Sequence, residues 1–173
     1  MRELKGQLPS KDNYAEAEAA LESKWEGVRS LAAQVLGLWG GRHAVDVLKR
    51  ALLAAPPGSS LRRVAMTELG RCVGPEDTGW ILDLYFDGPL TGLDQHYVRR
   101  ELLSKQAGPR LRDRVRREAS SEHAGHRLAA AYALVFAATP VPGAKEVLHS
   151  LSDDPVRDVS RVAQLLSHHP NAA

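Results

Sequence analysis

Apolar residues recur along this chain at steps of three and four, whereas a sustained alternation of apolar and polar residues is absent from the sequence. The first pattern places apolar side chains on one face of an α-helix, and the second is needed for a half-buried strand. Turn signals interrupt the pattern, among them Gly40-Gly41, Pro56-Pro57-Gly58 and Gly108-Pro109. Glycine commonly ends a helix and proline commonly begins one, so each signal predicts a tight turn between helices. The sequence therefore predicts an all-α fold.

An internal repeat appears when the helical segments are aligned. Five segments begin 28 to 37 positions apart, a distance that accommodates two short antiparallel helices. The second helix of each pair follows VRSLAAQVLG (28–37), LRRVAMTELG (61–70), VRRELLSKQAG (98–108), HRLAAAYALV (126–135) and VRDVSRVAQL (156–165). The first helices are predicted near residues 12–23, 42–54, 76–87, 109–121 and 142–152. Each repeat is thus a helical hairpin.

Two of these stretches resemble a known family. VRSLAAQVLG, followed by a glycine turn and HAVDVLKRAL, is similar to the short bacterial form of the HEAT repeat, and SDDPVRDVSRVAQLL looks like another copy. Phycobilin lyases carry repeats of this type. The resemblance implies a right-handed α-solenoid of about five hairpins in a single domain, with the second helix of each hairpin lining a concave groove. The repeats cover about 12–38, 42–71, 76–107, 109–138 and 142–167.

An arginine stands at the second position of every aligned segment. Its constant register predicts a structural role between neighbouring repeats, with direct ligand contact as the alternative. The HEAT pattern places an aspartate in the turn before this arginine, and here Asp153 and Asp154 match it. The predicted ladder consists of Arg29, Arg62, Arg99, Arg127 and Arg157.

The second helices also predict a binding surface. Their outward positions are mostly basic or polar, which favours an acidic protein segment or a phosphate backbone. The alternative is that these residues are solvated helix faces. Among the outward positions are Ser30, Gln34 and Gln164, with Glu68, Glu101 and Asp158 as the acidic exceptions. The predicted partner-binding residues are Arg63, Thr67, Arg71, Arg100, Ser104, Lys105, Tyr132 and Arg161.

Net charge and cysteine content narrow the partners, the kinds of site and the cellular compartment that the sequence favours. Lys and Arg number 23 and Asp and Glu number 21, and this near balance does not by itself indicate a nucleic-acid partner. The single cysteine, Cys72, excludes an intrachain disulfide and a cysteine-rich zinc site. No apolar run is long enough for a membrane span, so the sequence predicts a cytoplasmic protein without a membrane partner. A monomer is favoured, and the oligomeric state stays open.

The charges are unevenly placed along the chain. No Lys or Arg occurs from Cys72 through Val98, whereas residues 99–118 carry eight arginines and lysines against three acidic residues. Mutual neutralisation between neighbouring repeats is the favoured interpretation, and two separate docking patches are the alternative. Three aromatic residues of the acidic segment would anchor a partner if it is a docking patch, and would belong to the core otherwise. They are Trp80, Tyr85 and Phe86.

Catalytic signals are weak. His123 and His126 lie three positions apart, but a metal would need another ligand. His-Glu dipeptides, which HEAT-built di-iron hydroxylases imply, do not occur in the sequence. We therefore predict no catalytic residues, no metal and no cofactor, and an enzymatic role is disfavoured but left open. We also expect the tail HHPNAA to be frayed.

The favoured function is a non-enzymatic protein–protein interaction module, an adaptor, regulator or inhibitor, that binds an acidic partner. A nucleic-acid-binding protein is the first alternative. HEAT-like alkylpurine DNA glycosylases belong to that class, and resemblance to them would make Asp158 the carboxylate and Trp39, Tyr97 or Tyr132 the nearest aromatic residues. A subunit of the chromophore-lyase type is the second alternative.

Overall fold

The computed structural model describes residues 10–172, and all regular secondary structure in that range is helical. The all-α prediction is therefore confirmed for the described chain. No described helix is both long and apolar enough to cross a membrane. The helices are α1 (Lys11–Leu21), α2 (Glu26–Trp39), α3 (Gly41–Ala54), α4 (Ser60–Cys72), α5 (Thr78–Asp87), α6 (Gly92–Tyr97), α7 (Pro109–Ala119), α8 (Ala124–Phe136), α9 (Ala144–Leu151) and α10 (Arg157–Leu166).

The turns between helices follow the predicted punctuation. Gly40 adopts φ 67° between α2 and α3, a conformation that glycine enters without steric penalty. Ser59 begins α4 by accepting a hydrogen bond from the backbone N–H of Arg62. Gly108, with φ 94°, precedes Pro109 at the first position of α7. These local choices set the short antiparallel helix pairs.

The described chain divides into two compact units. Unit 1 comprises the described residues up to Val73 together with Pro89–Tyr97, and unit 2 comprises Gly74–Gly88 together with the described residues from Val98 onward. The division passes through the third predicted repeat. A single domain of five repeats stays a prediction.

In unit 1, α2 packs against α1, α3 and α4, and α4 also packs against α3 and α6. The two second helices, α2 and α4, thus lie side by side. Their shared core is aliphatic and fully enclosed by neighbouring helices. Its members include Leu36, Leu48, Leu52, Met66 and Leu69.

In unit 2, α8 packs against α7, α9 and α10, and α5 packs against α7. Here too the second helices α8 and α10 are neighbours. Tyr85 and Phe86 of α5 are buried, so they belong to the core and are not exposed anchors. Trp80 is half-buried. The remaining core residues of unit 2 include Ile81, Leu102, Leu111, Leu134 and Leu148.

The second helix of the third repeat differs from the prediction. It begins at Gly92 as α6, six residues before the aligned segment, and α6 is followed by a π-helical turn, Val98–Leu102, and a 3₁₀ turn, Leu103–Lys105. Thr91 and Asp94 explain the early start. The Thr91 N–H donates to Asp94 Oδ2 at 3.0 Å and the Asp94 N–H to Thr91 Oγ1 at 3.2 Å, a reciprocal cap at the first turn of α6.

The C-terminal tail is the second difference. Pro170–Ala172 form a 3₁₀ turn that packs on α8, and Ala172 is buried. Asn171 Nδ2 donates to the Val135 carbonyl at 2.9 Å. The prediction of a frayed tail is wrong as far as Ala172, because its small side chain and an amide donor find partners on α8.

Candidate functional site

Arg62, the ladder arginine of the second repeat, is buried in unit 1. Only 1% of the residue is exposed. Its Nη1 donates to the Ala55 carbonyl at 3.3 Å and its Nη2 to the Pro89 carbonyl at 2.9 Å. The Nε lies 3.5 Å from Oδ2 of Asp94, which is fully buried. Arg62 thus ties the end of α3 to the cap of α6.

Arg127 makes the equivalent contacts in unit 2. Its guanidinium faces Asp154 with two nearly parallel hydrogen bonds, Nε to Oδ2 at 2.5 Å and Nη2 to Oδ1 at 3.0 Å. Its Nη1 also donates to the carbonyls of Ser121 and Glu122 at 2.8 and 3.0 Å. The hydrogen bonds from Arg127 hold the pKa of Asp154 below its ordinary value. This bidentate pair joins the fourth and fifth repeats.

Three ladder arginines share one contact. Arg29, Arg62 and Arg127 each donate to a backbone carbonyl six or seven residues earlier, just beyond the preceding helix. For Arg29 the acceptor is the Ser23 carbonyl at 2.6 Å. The carbonyls at a helix end lack helical partners and carry partial negative charge, so a guanidinium there stabilises the hairpin.

The other two ladder arginines behave differently. Arg99 lies on the π-helical turn, with its guanidinium carbon 4.2 Å from the ring centroid of Tyr132. Arg157 is exposed at the start of α10. An inter-repeat role for all five arginines stays a prediction, and the ion pairs seen here involve Arg62 and Arg127.

The eight predicted partner-binding residues lie in both units. In unit 1, Arg63 and Thr67 are half-buried on α4, while Arg71 is exposed and forms an ion pair with Glu68 at 2.7 Å. Their counterparts in unit 2 occupy the Val98–Lys105 turns, α8 and α10, where Ser104 and Tyr132 are half-buried. The exposed partner-binding candidates of unit 2 are Arg100, Lys105 and Arg161.

Two positions expected to face outward are buried. Ser30 and Glu68 are 9% and 4% exposed, respectively. Gly37 of α2 explains the burial of Glu68, because a methyl group on Gly37 would lie 2.5 Å from Glu68 Cβ. The two second helices approach so closely that Glu68 is enclosed between them. Its pairing with Arg71 compensates the buried carboxylate.

Arg114, from the basic segment 99–118, neutralises acidic residues of the segment from Cys72 through Val98. This side chain extends from α7 to α5, where it pairs with Asp83 at 3.0 Å and Asp87 at 2.5 Å. Its Nε also lies 2.7 Å from Glu118. The favoured interpretation, neutralisation between neighbouring repeats, is confirmed for these two aspartates.

Glu118 extends the same cluster to α8. His126 Nδ1 lies 2.8 Å from Glu118 Oε2, and His126 Nε2 lies 4.0 Å from Asp87. Burial opposes ionisation of Glu118, but the hydrogen bond with His126 and the charge of Arg114 outweigh it, so the Glu118 pKa is lowered. Contacts among Arg114, Glu118 and His126 therefore hold α5, α7 and α8 together.

No family model and no curated protein matches this chain.

Unit 2 carries a strip of aromatic side chains, of which only Tyr132 is among the predicted partner-binding residues. Tyr132 and Phe136 lie one turn apart on the outer face of α8, with ring centroids 6.4 Å apart, and His169 continues the series 6.3 Å beyond Phe136. With Arg99 over Tyr132, these four residues form what we call the aromatic strip. Phe136 is 39% exposed. A regular spacing of Tyr132 and Phe136 is the sequence signal that indicates it.

The structure also places the residues considered for metal binding and for glycosylase chemistry. Within residues 10–172, no group of three or more His, Cys, Asp and Glu side chains is placed to hold a metal ion. Asp158, the candidate glycosylase carboxylate, is exposed in the first turn of α10, and it lines neither of the two cavities described in the molecule. Trp39 packs edge-on against Tyr14 in unit 1, with centroids 5.1 Å apart.

The Glu118 cluster predicts a pH dependence of stability. A carboxylate whose folded pKa is lowered contributes stability that is complete above its ordinary value, about 4.3, and is lost as the pH falls through the folded pKa. We expect the urea midpoint to fall on acidification in that window and the Glu118→Gln variant to show a shallower fall. Denaturation followed by circular dichroism between about pH 6 and 3 measures the difference.

The matched control is Glu146→Gln, at an exposed residue of α9. It should keep the pH profile of the parent protein. Parallel profiles for the parent and the Glu118→Gln variant would contradict the role given to the cluster.

Proposed function

We propose that this chain is a non-enzymatic protein–protein interaction module that binds an acidic segment of another protein. The aromatic strip carries the proposal, because it combines an arginine held over a tyrosine with an exposed phenylalanine on the outer face of one helix. Tyrosine, arginine and other large side chains supply most of the binding energy at protein interfaces.

The geometry of Arg99 suits carboxylate recognition. Contact with the Tyr132 ring restricts the arginine while its N–H groups keep their in-plane directions, so less side-chain entropy is lost on binding. Burial raises the pKa of the Tyr85 hydroxyl to about 12, while the charge of Arg99 and its hydrogen bond with Tyr85 oppose this effect. Tyr85 is therefore neutral beside Arg99 and leaves its charge available to a partner.

Basic residues extend this surface. Arg100 and Lys105 are exposed on the turns next to Arg99, and Arg161 is exposed on α10, which packs beside α8. In this proposal they contact acidic side chains while Phe136 supplies an apolar anchor. The unit 1 residues Arg63, Thr67 and Arg71 form a second contact region on α4.

The proposal includes a right-handed α-solenoid of about five HEAT-like repeats. Two observations support it. Second helices lie side by side in both units, α2 beside α4 and α8 beside α10. The same arginine-to-carbonyl contact recurs at Arg29, Arg62 and Arg127. Stacked hairpins with a constant register are the basis of such arrays.

Peptide display against the full chain tests the proposed binding. We expect enrichment of peptides that combine several Asp or Glu residues with one aromatic or large aliphatic residue. A selected peptide should bind the Tyr132→Ala and Arg100→Glu double variant at least about tenfold more weakly, as loss of a central aromatic anchor predicts. Fluorescence anisotropy with the labelled peptide measures the change.

The control is Lys145→Glu, a charge reversal at an exposed residue of α9, which should change affinity less than about twofold. Enrichment of neutral or basic peptides, or equal loss in control and double variant, would reject the proposal. Tighter binding of single-stranded oligothymidylate, with affinity falling steeply as salt rises, would replace it with nucleic-acid binding.

A further inference from the structure

Unit 1 contains a cavity that the proposed interaction surface does not use. Its volume is about 410 Å³, within the range of small-molecule sites, and it lies among the end of α1, one side of α3 and the turn before α4. Much of its wall is apolar and comes from Leu21, Val47, Ala51, Ala54 and Leu61. Arg29 lines the cavity together with Ser23, whose carbonyl accepts the hydrogen bond from the Arg29 guanidinium.

Arg29 has no carboxylate partner among the described residues, unlike two other arginines at the same position of their repeats. Arg62 and Arg127 each face an aspartate supplied by the next repeat, Asp94 and Asp154 respectively. Among the residues that the structure describes, the bond to the Ser23 carbonyl is the one hydrogen bond of the Arg29 guanidinium, which forms no ion pair there. Its remaining N–H groups have the capacity to bind a carboxylate.

In the second repeat, the turn before α4 contains no acidic residue that could pair with Arg29. The turn from Ala55 to Ser60 reads APPGSS. Ser59 caps its own helix, and the Ser60 N–H donates to Glu26 at 2.8 Å. Ala55, Pro56 and Leu61, which surround this turn, all line the cavity. The cavity therefore borders the turn of the second repeat, which supplies no acidic side chain to Arg29.

We infer that this cavity binds a small molecule with an apolar body and a carboxylate head. The carboxylate takes the place of the missing aspartate on Arg29, and the aliphatic body lies against the alanine and leucine side chains. Glu18, on the same wall, does not oppose this charge by itself, because it is paired with Arg50 at 3.3 Å and with His43. Glu22 is exposed at the rim and would accept an ammonium group if the ligand carries one.

Three matched compounds test the ligand class. Octanoate carries the carboxylate, octanamide replaces it with a neutral group of similar shape, and 2-aminooctanoate adds an ammonium group beside it. With the full chain, saturation-transfer NMR titrations should show octanoate binding at least about tenfold more tightly than octanamide. Tighter binding of 2-aminooctanoate than of octanoate would assign the site to amino acids, and weaker binding would assign it to simple acids.

Three variants locate the contact. Arg29→Gln should remove the preference for octanoate over octanamide, whereas Arg157→Gln, at the exposed arginine of the same register, should keep it. Ala54→Leu adds side-chain volume to the cavity wall and leaves Arg29 intact, so it should weaken binding of all three compounds even if Arg29→Gln fails to fold. Equal binding of octanoate and octanamide, no binding of octanoate, or octanoate binding unchanged by Ala54→Leu would overturn the inference.

Discussion

Replacing Arg62 by methionine should lower the free energy of unfolding by about 3–5 kcal/mol, the range expected when one partner of a buried ion pair is removed. Methionine keeps most of the aliphatic stem, so the loss reports mainly on charge and hydrogen bonding. Asp94 would be left without its cationic partner at 0% exposure, and the Ala55 and Pro89 carbonyls would lose their donors. Urea denaturation followed by circular dichroism measures the change.

Two further variants separate charge from packing. Arg62→Met combined with Asp94→Asn removes the uncompensated carboxylate and retains a side-chain oxygen for the Thr91 N–H, so part of the lost stability should return. Arg157→Met, at the exposed end of the register, should stay within about 0.5 kcal/mol of the parent. A loss below about 1 kcal/mol in Arg62→Met would contradict the structural role of the buried pair.

Gly37→Ala should destabilise the protein by about 1–3 kcal/mol, as expected for overpacking in a close-packed core. The added methyl group would lie 2.5 Å from Cβ and 2.8 Å from Cγ of Glu68. Since Glu68 Cβ is fixed to the backbone of α4, the contact is relieved only if α2 and α4 move apart. Thermal and urea unfolding both measure the loss.

Gly27→Ala is the matched control within α2. Beyond its chain neighbours and the adjoining backbone of α2, no atom lies within 4 Å of the position that its Cβ would occupy. Alanine there should raise the free energy of unfolding by up to about 1 kcal/mol through its higher helix propensity. Destabilisation by Gly27→Ala, or a neutral Gly37→Ala, would mean that the close crossing of α2 and α4 does not limit stability.

Helix positions were predictable because capping chemistry is local. The first helices were expected at 42–54 and 109–121, and the structure has Gly41–Ala54 and Pro109–Ala119. Glycine and proline at these ends encode the turns in a few consecutive residues. Apolar periodicity then defines which face is buried, since the same residues recur on one side of each helix.

The differences between the predicted and the observed structure depend on features that a residue's neighbours in the sequence do not encode. Glu68 reads as a surface residue by charge, and its burial depends on Gly37, which lies on another helix. The π-helical turn Val98–Leu102 has no residue signature that sequence inspection separates from an α-helix. Ala172 is buried because its turn packs on α8, a contact that the neighbouring residues in the sequence do not predict.

The candidate sites divide in the same way. The register of arginines could be read directly, and the aspartate before Arg157 pointed to the pairing that Asp154 makes. In the aromatic strip, the spacing of Tyr132 and Phe136 is visible in the sequence. The positions of Arg99 and His169 beside these rings are not, because both residues lie on turns outside α8. The cavity beside Arg29 borders a turn that has no acidic residue. Its relation to Arg29 follows from the contacts that Arg62 and Arg127 make in the folded protein, which the sequence does not show.

The arginine-to-carbonyl contact has a consequence for protein engineering. Arg29, Arg62 and Arg127 close hairpins with acceptors from their own repeat, whereas the carboxylates on Arg62 and Arg127 come from the following one. A duplicated or transplanted hairpin would keep its internal closure wherever it was inserted. Its junction would be satisfied only if the acidic turn downstream were copied with it, so the exchangeable module is one hairpin plus the start of its successor.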